Sequence, residues 1–221
     1  MGAMVEFKRP DGGTTKGFLS KADGKARGGV VVIQEWWGLN DQICGIADRL
    51  ARNGYNALAP DLYRGRVTTK PDEANHLMEG LDFPGATHQD LRGAVQHLKG
   101  LGGKVAAMGY CMGGALTIAA LVHVPEVDAG ICYYGIPPAE FADPARIRKP
   151  IQGHFADHDD WITPAAVAGL EKALKAGGAR HEIYRYDANH GFFNEVSEQN
   201  YKASAANLSW ERSMAFLKAH L

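Results

Sequence analysis

One cysteine has the sequence setting that a catalytic nucleophile needs. Cys111 lies in the segment 109–114, Gly-Tyr-Cys-Met-Gly-Gly, between an apolar run of strand length at 104–108 and an apolar segment of helical character at 115–121. A Gly-x-nucleophile-x-Gly sequence between a strand and a helix is typical of a nucleophile elbow, in which the glycines let the two elements approach closely. The N-terminus of the following helix also favours the thiolate form of cysteine.

The same turn has a purely structural interpretation. Glycines also occur where a strand and a helix pack tightly, and a cysteine in such a turn can be a small buried hydrophobe. The motif therefore needs its structural context before it indicates catalysis. Cys44 and Cys132 lie in a predicted helix and in an apolar strand, where a structural role suits both.

A cysteine nucleophile needs a base, and the base needs an acid that orients it. In enzymes of the α/β-hydrolase fold, the acid and then the base follow the nucleophile along the chain, on loops after later strands. Asp159 follows a predicted strand 48 residues beyond Cys111, and His190 follows the last predicted strand 31 residues further on. The chain order therefore predicts Asp159 as the orienting acid and His190 as the base.

Other interpretations of these side chains remain open at this point. His154, His158 and the three aspartates between 157 and 160 fall within seven residues and could be metal ligands, although no Cys-x-x-Cys pair accompanies them. His190 could be a surface histidine, but its place between the last strand and the last helix favours the base. We expect neither a metal nor a cofactor.

Two backbone N–H groups must stabilise the oxyanion of an acyl-transfer reaction. The amide of Met112, directly after the nucleophile, is one candidate, and we predict the amide of Trp36, in the loop after strand 29–34, as the other. Glu35 is unusual in that loop, because a carboxylate at the end of a buried strand must find a partner or become protonated. It could pair with an arginine of the pocket, or contact the nucleophile or the base.

The surrounding chain alternates strands and helices in the order that would position these residues. A hairpin is predicted at 5–8 and 15–19. Further strands are predicted at 29–34, 55–61, 104–108, 129–134, 151–156 and 181–186, and segments of helical periodicity lie between them. This alternation indicates a mostly parallel sheet with helices on both faces. We predict one α/β-hydrolase domain over residues 1–221, with 61–84 as a pocket wall or partial lid.

Composition and charge argue against several functional classes. A net charge of −1 with 22% charged residues gives no basic footprint for a nucleic acid. No apolar run reaches the length of a membrane span, and no signal peptide is recognisable. Three cysteines cannot all pair with one another, which favours a reducing, cytoplasmic compartment. We expect a monomer or small homo-oligomer that acts on a small molecule.

The sequence resembles the dienelactone hydrolases (carboxymethylenebutenolidases) over nearly its whole length. The matching stretches lie at 34–40, 59–63, 109–116, 133–135, 154–159, 190–192 and 201–217. The resemblance implies hydrolysis of an enol-lactone through a Cys–His–Asp triad without a cofactor, in the catabolism of aromatic compounds. By matching positions, Cys111 is the nucleophile, Asp159 the acid and His190 the base.

The resemblance also implies how an anionic substrate is read. Glu35 matches the family glutamate that holds the resting thiol neutral until the substrate's carboxylate engages an arginine and the thiolate forms. Arg66 falls at the place of that arginine, with Arg64 close enough to compete. A second family arginine, four residues after the histidine, is replaced by Asn194, which offers only a neutral donor. The resemblance therefore does not determine the identity of the substrate.

Two functions from other classes compete with an ester or lactone hydrolase. A non-catalytic or redox-responsive ligand-binding protein could use the same scaffold, because a fold does not determine a function. A thiol peptidase is the third possibility, although no additional domain that could hold a polypeptide is visible. Labelling of Cys111 without turnover of any ester would favour the binding protein.

Overall fold

One eight-stranded sheet organises the protein, and the structure, a computed structural model, describes residues 2–221. The strands are β1 (Ala3–Lys8), β2 (Thr14–Ser20), β3 (Gly29–Ile33), β4 (Asn56–Pro60), β5 (Val105–Tyr110), β6 (Ala129–Tyr133), β7 (Ile151–His158) and β8 (His181–Asn189). The helices are α1 (Asp41–Arg52), α2 (Pro71–Glu79), α3 (Phe83–Gly85), α4 (Arg92–Gly100), α5 (Met112–His123), α6 (Pro164–Gly177) and α7 (Ala203–His220). A π-helical segment, Ala86–Leu91, joins α3 to α4.

The strands run in the order β1-β2-β4-β3-β5-β6-β7-β8 across the sheet. The pairs β1–β2 and β2–β4 are antiparallel, and all other neighbouring strands are parallel. Parallel neighbours need a crossover. Helices provide it except between β6 and β7, where a loop that contains one short 3₁₀ turn, Pro144–Arg146, makes the connection. The predicted hairpin and the predicted mostly parallel sheet are both confirmed.

The hydrophobic core covers both faces of the sheet, as a buried parallel strand requires. Along β3, Val30 and Val32 pack in one buried cluster with side chains of α1 and α7. Val31 and Ile33 point to the other face and pack with side chains of α4 and α5. The side chains of β3 are therefore buried on both faces of the sheet, and helices cover both faces, as predicted.

The last two strands are longer than the sequence predicts. β7 continues to His158 and β8 to Asn189, with a register irregularity between Ala156 and His158 in their pairing. The two strands support each other beyond 156 and 186, where residue preferences alone favour a loop. His190 consequently lies directly at the end of a strand rather than within a long loop.

The close packing of the elbow makes a stability prediction possible. A Cβ atom at Gly113 would meet the carbonyl oxygens of Ile33 and Gln34, because α5 begins against the end of β3. We expect Gly113→Ala to lower the free energy of unfolding by about 3 kcal/mol, measured by urea denaturation. Gly45→Ala is the matched control: this helical glycine has open space around it, and alanine should stabilise the helix by roughly 0.5–1 kcal/mol. Equal effects of the two substitutions would contradict the packing argument.

Candidate active site

Cys111 occupies the turn between β5 and α5 in a strained backbone conformation. Its φ is 54° and its ψ is −118°, a combination that costs a non-glycine residue on the order of 1–3 kcal/mol. Its N–H group donates to the carbonyl oxygen of Tyr133 (3.0 Å), and its own carbonyl oxygen accepts from the N–H of Gly114 (2.9 Å). The partly exposed side chain lines a cavity of about 660 Å³. The neighbouring strand and helix thus hold the thiol at the cavity wall.

An aspartate and a histidine from two later loops meet at the same cavity. The Nδ1 atom of His190, which follows β8, lies 2.7 Å from Oδ2 of Asp159, which follows β7. The other carboxylate oxygen of Asp159 accepts the N–H groups of Trp161 (2.9 Å) and Ile162 (2.8 Å). The Asp159 side chain is fully buried, so the loop fixes one oxygen and leaves the other for the histidine.

The neighbours of His190 favour its protonated form. Burial by itself would lower the pKa of His190, but its hydrogen bonds and charge interactions with Asp159 and Cys111 raise that pKa to about 10. Burial raises the pKa of Asp159, yet its hydrogen bonds with His190 and two backbone N–H groups bring it below the usual value. Asp159 and the sulfur of Cys111 therefore stabilise the imidazolium that forms when His190 accepts a proton.

The second ring nitrogen of His190, Nε2, is buried and has no well-formed hydrogen bond within residues 2–221. The sulfur of Cys111 nevertheless acts on the ring, since it contributes to the raised pKa of His190. Catalytic hydrogen bonds are often long or poorly aligned in the absence of substrate and tighten when it binds. The geometry is thus compatible with proton transfer from the thiol to Nε2.

Glu35 is buried beside these groups, and its two hydrogen-bond partners differ from those that the sequence suggested. Its Oε1 accepts from the hydroxyl of Tyr134 (3.2 Å) and its Oε2 accepts from the side-chain amide of Asn194 (2.7 Å). Burial raises the pKa of Glu35 to about 7, although the charge of His190 and both hydrogen bonds limit the rise. No arginine pairs with this carboxyl group within the described residues, and the thiol is not one of its hydrogen-bond partners.

Tyr134 belongs to the site, although the sequence analysis did not predict it as a site residue. It is fully buried, its φ is 35°, and its ring lies edge-on to the His190 ring at a centroid distance of 5.1 Å. A positive φ in a bulky residue is rare and tends to mark functional sites. The stretch 133–135, part of the family resemblance, was the available signal.

Trp161 is a second site residue that the sequence analysis did not predict. Its side chain is exposed, and its ring stacks on His190 at 6.0 Å with an interplanar angle of 27°. The same ring meets Trp36 edge-on at 5.4 Å. An exposed tryptophan two residues after the predicted acid would have been a signal, because loops that follow parallel strands carry ligand contacts.

The two predicted oxyanion-hole amides lie at the same end of neighbouring strands. Trp36 follows β3 and lines the cavity, and Met112 is the first residue of α5. β3 pairs with β5 through Ile33 and Gly109, which brings the two following loops side by side. The N–H groups of a first helical turn have no acceptor inside the helix. The role of these amides as oxyanion donors stays a prediction.

The predicted substrate-binding residues do not meet in the cavity of Cys111. Arg66 and Arg64 line a separate cavity of about 310 Å³. Arg64 is held by both carboxylate oxygens of Asp90 (3.0 and 2.8 Å), and Nε of Arg66 donates to the carbonyl oxygen of Tyr63 (3.4 Å). Asn194 does line the main cavity, but its amide is committed to Glu35. In this conformation the structure leaves both arginines away from the substrate space.

The side chains considered as metal ligands have other partners. His154 is fully buried, with Nδ1 2.7 Å from the hydroxyl of Tyr186, and Nε2 of His158 lies 2.8 Å from Asp187. Within residues 2–221, no group of three or more His, Cys, Asp and Glu side chains is placed to hold a metal ion.

The burial of Glu35 predicts a pH-dependent stability. Since the pKa is about 7 in the folded chain and 4.5 is the ordinary value, the favourable contribution of the protonated form is complete below pH 4.5 and is lost as the pH rises through 7. This loss amounts to about 3 kcal/mol. We therefore expect Glu35→Gln to stabilise the protein by up to that amount at pH 8 and little at pH 4.5.

Urea denaturation at the two pH values measures this difference, with the exposed Glu140→Gln as the matched control. The rate of Cys111 alkylation should also change in Glu35→Gln. The reason is that the Glu35 carboxyl group and the Cys111 sulfur both interact with the positive charge of His190. A pH-independent effect on stability would show that Glu35 ionises normally in the folded chain.

Comparisons with known proteins agree with this architecture. A sequence model described as the dienelactone hydrolase family matches residues 15–221. A protein named usf from Aquifex pyrophilus is 32% identical over 233 residues and covers all of both chains. A provisionally named carboxymethylenebutenolidase from Aquifex aeolicus is 31% identical over 234 residues, again with complete coverage of both.

Solved structures share the fold. A provisionally named dienelactone hydrolase from Klebsiella pneumoniae superposes with a TM-score of 0.85 at 25% identity, covering 98% of each chain. This likeness confirms the predicted α/β-hydrolase fold. None of the helices in the described part of the chain combines the length and apolar character that crossing a bilayer requires. The family match covers nearly the entire sequence, and the chain therefore belongs to the dienelactone hydrolase family.

Proposed function

We propose that Cys111, His190 and Asp159 form the catalytic triad of this carboxylic ester or lactone hydrolase. The observation that supports the triad most is the 2.7 Å contact between His190 and Asp159 at the cavity that Cys111 lines. A buried acid, a histidine that it orients and a nucleophile on a strained elbow are the three parts that the chemistry needs.

The reaction follows from these positions. His190 takes the thiol proton on Nε2, and the thiolate of Cys111 attacks the carbonyl carbon of the substrate. The amides of Trp36 and Met112 stabilise the negative oxygen of the tetrahedral intermediate. His190 then gives its proton to the departing alkoxide, which leaves a thioester on the cysteine. A water molecule, deprotonated by the same imidazole, hydrolyses the thioester and restores the thiol.

Glu35 has a restraining role in this proposal. Its carboxylate, when ionised, competes with the thiolate for the positive charge on His190, and the hydrogen bonds from Tyr134 and Asn194 keep it in place. Glu35 thereby keeps the reactivity of the resting thiol low. We also propose that the chain works as one domain without a cofactor, as a monomer or small homo-oligomer. Its three free cysteines favour a reducing, cytoplasmic setting.

The resemblance implies an anionic substrate, and the lining of the cavity gives little support to that charge. An anionic lactone, as in the catabolism of aromatic compounds, would need Arg66, whose side chain lies in the second cavity. The proposed function is therefore limited to small esters and lactones, without a negative charge assigned to the substrate.

Turnover of a panel of activated esters and lactones, measured while iodoacetamide slowly alkylates Cys111, tests the proposal. We expect turnover that disappears as Cys111 is modified, while Cys44 and Cys132 remain unmodified. Labelling of Cys111 in a protein that hydrolyses none of the panel would instead favour a redox-responsive or ligand-binding protein.

A further inference from the structure

The cavity at Cys111 offers a substrate no basic side chain apart from histidine. Among the described residues that line it there is no lysine and no arginine, whereas Glu35 and Asp160 both contribute carboxyl groups. His158 pairs with Asp187, and His190 is engaged by Asp159. A carboxylate that enters this space loses hydration. The positive charge of a protonated His190 is already balanced by Asp159 and by the sulfur of Cys111, so the carboxylate meets no further fixed cation.

The two arginines predicted to supply that cation lie at a different cavity in this structure. Arg64 forms a two-point ion pair with Asp90 and also donates to Thr15. Arg66 is exposed on the wall of the second cavity and bonds to the backbone of Tyr63. Neither side chain lines the space that Cys111 faces.

Neutral groups dominate the rest of the wall. Amide and hydroxyl side chains of Thr69, Asn189, Ser197, Gln199 and Asn200 line the cavity, and such groups both donate and accept hydrogen bonds. The exposed ring of Trp161 stands beside them, stacked on the His190 ring. A flat apolar surface next to uncharged polar groups is suited to an aromatic ring with ester, hydroxyl or amide substituents.

We infer that this site selects uncharged esters, with an aromatic ring and neutral hydrogen-bonding substituents, over esters that carry a free carboxylate. The inference rests on the proposed hydrolase function and narrows its substrate class. The side chains of Asn200 and its neighbours form hydrogen bonds with the neutral substituents, and Trp161 packs against the ring. Glu35 and Asp160 disfavour a negative charge in the same space.

Two acetyl esters that differ only at the far side of the ring provide the test: 4-acetoxybenzoate and its methyl ester. Their kcat/KM values, each divided by the rate constant for hydroxide-catalysed hydrolysis, should favour the methyl ester at least about tenfold. The para position prevents the carboxylate from reaching its own ester, so the comparison reports the enzyme's preference. A normalised preference for the carboxylate, or none, would overturn the inference while leaving the hydrolase function intact.

Single substitutions locate the origin of the preference. Asn200→Arg places a guanidinium on the cavity wall and should improve the carboxylate substrate about tenfold or more relative to the methyl ester. Asn200→Gln, its neutral control, should leave the ratio nearly unchanged. Arg66→Met should not alter the ratio. If Arg66→Met selectively weakens turnover of the carboxylate, then Arg66 reads substrate anions after all and the inference is wrong.

A second measurement decides the inference even if neither ester is hydrolysed, a result that would count against the proposed function alone. Benzamide should protect Cys111 from iodoacetamide at concentrations where benzoate protects much less, and Trp161→Ala should weaken that protection. Equal or better protection by benzoate would contradict a preference for neutral ligands.

Discussion

Replacing Cys111 with alanine is expected to abolish ester hydrolysis and leave the fold intact. The thiol is the atom that bonds to the substrate in the proposed reaction, and no other side chain on the elbow can replace it. Loss of a nucleophile that works as part of a triad typically lowers kcat by about 10⁴-fold or more. The side chain is only partly buried, so its removal should change the urea midpoint little. Steady-state hydrolysis of 4-nitrophenyl acetate measures the effect.

The other two cysteines provide controls of the same chemistry. Cys44 is half-buried on α1, and Cys132 is buried on β6, where its thiol donates to the carbonyl oxygen of Gly135 (2.9 Å). A serine hydroxyl can make the same hydrogen bond. Cys44→Ser and Cys132→Ser should therefore keep most of the activity. Comparable activity of Cys111→Ala and the intact protein would refute the proposed mechanism.

Asp159→Asn should give the second largest loss, on the order of 10²–10⁴-fold in kcat. The asparagine retains the shape of the side chain, but it removes the negative charge that stabilises the imidazolium of His190. It also permits the amide to face Nδ1 and select the wrong tautomer of the ring. The pKa of His190 should fall as well, because Asp159 helps to raise it. NMR titration of the ring and steady-state kinetics measure the two effects.

Asp157→Asn is the matched control for this substitution. Asp157 lies two residues earlier, near the end of β7, and is exposed, whereas the Asp159 side chain is fully buried against the histidine. Its replacement should leave both kcat and the pKa of His190 nearly unchanged. A larger kinetic effect at Asp157 than at Asp159 would show that the acid has been assigned to the wrong carboxylate.

The architecture was readable from the sequence because its signals are local. The β-branched run of β3 and the helical periodicity of α1 each identify one element, and their alternation implies the parallel sheet. The extensions of β7 and β8 could not be predicted, because they depend on the pairing of the two strands with each other. The π-helical segment Ala86–Leu91 likewise has no signal in residue preference.

The arrangement of the site was partly readable for a related reason. Chain order places Asp159 and His190 on loops after successive strands, and the structure brings their side chains into hydrogen-bond contact. Their catalytic roles stay predictions. Burial of Glu35 also followed from its place at the end of β3, and a carboxyl group there is protonated more readily, as its pKa of about 7 shows.

The directions in which long side chains point could not be predicted from the sequence. Arg66 is only six residues beyond the end of β4, yet its guanidinium lies in the neighbouring cavity, where the backbone of Tyr63 accepts its hydrogen bond. Asn194 reaches across the site to Glu35 through a contact between residues far apart in the chain. Such choices depend on the packed three-dimensional surroundings, which residue type and spacing do not determine.

The central claim is that Cys111 carries the acyl group between the two halves of the reaction. Rapid mixing with 4-nitrophenyl acetate, an acid quench during the initial burst of nitrophenol and peptide mass mapping test it directly. The account predicts an acetyl group on the peptide that contains Cys111, and on neither of the peptides that contain Cys44 and Cys132. A burst of nitrophenol with the acetyl group on another residue, and an unmodified Cys111, would contradict it.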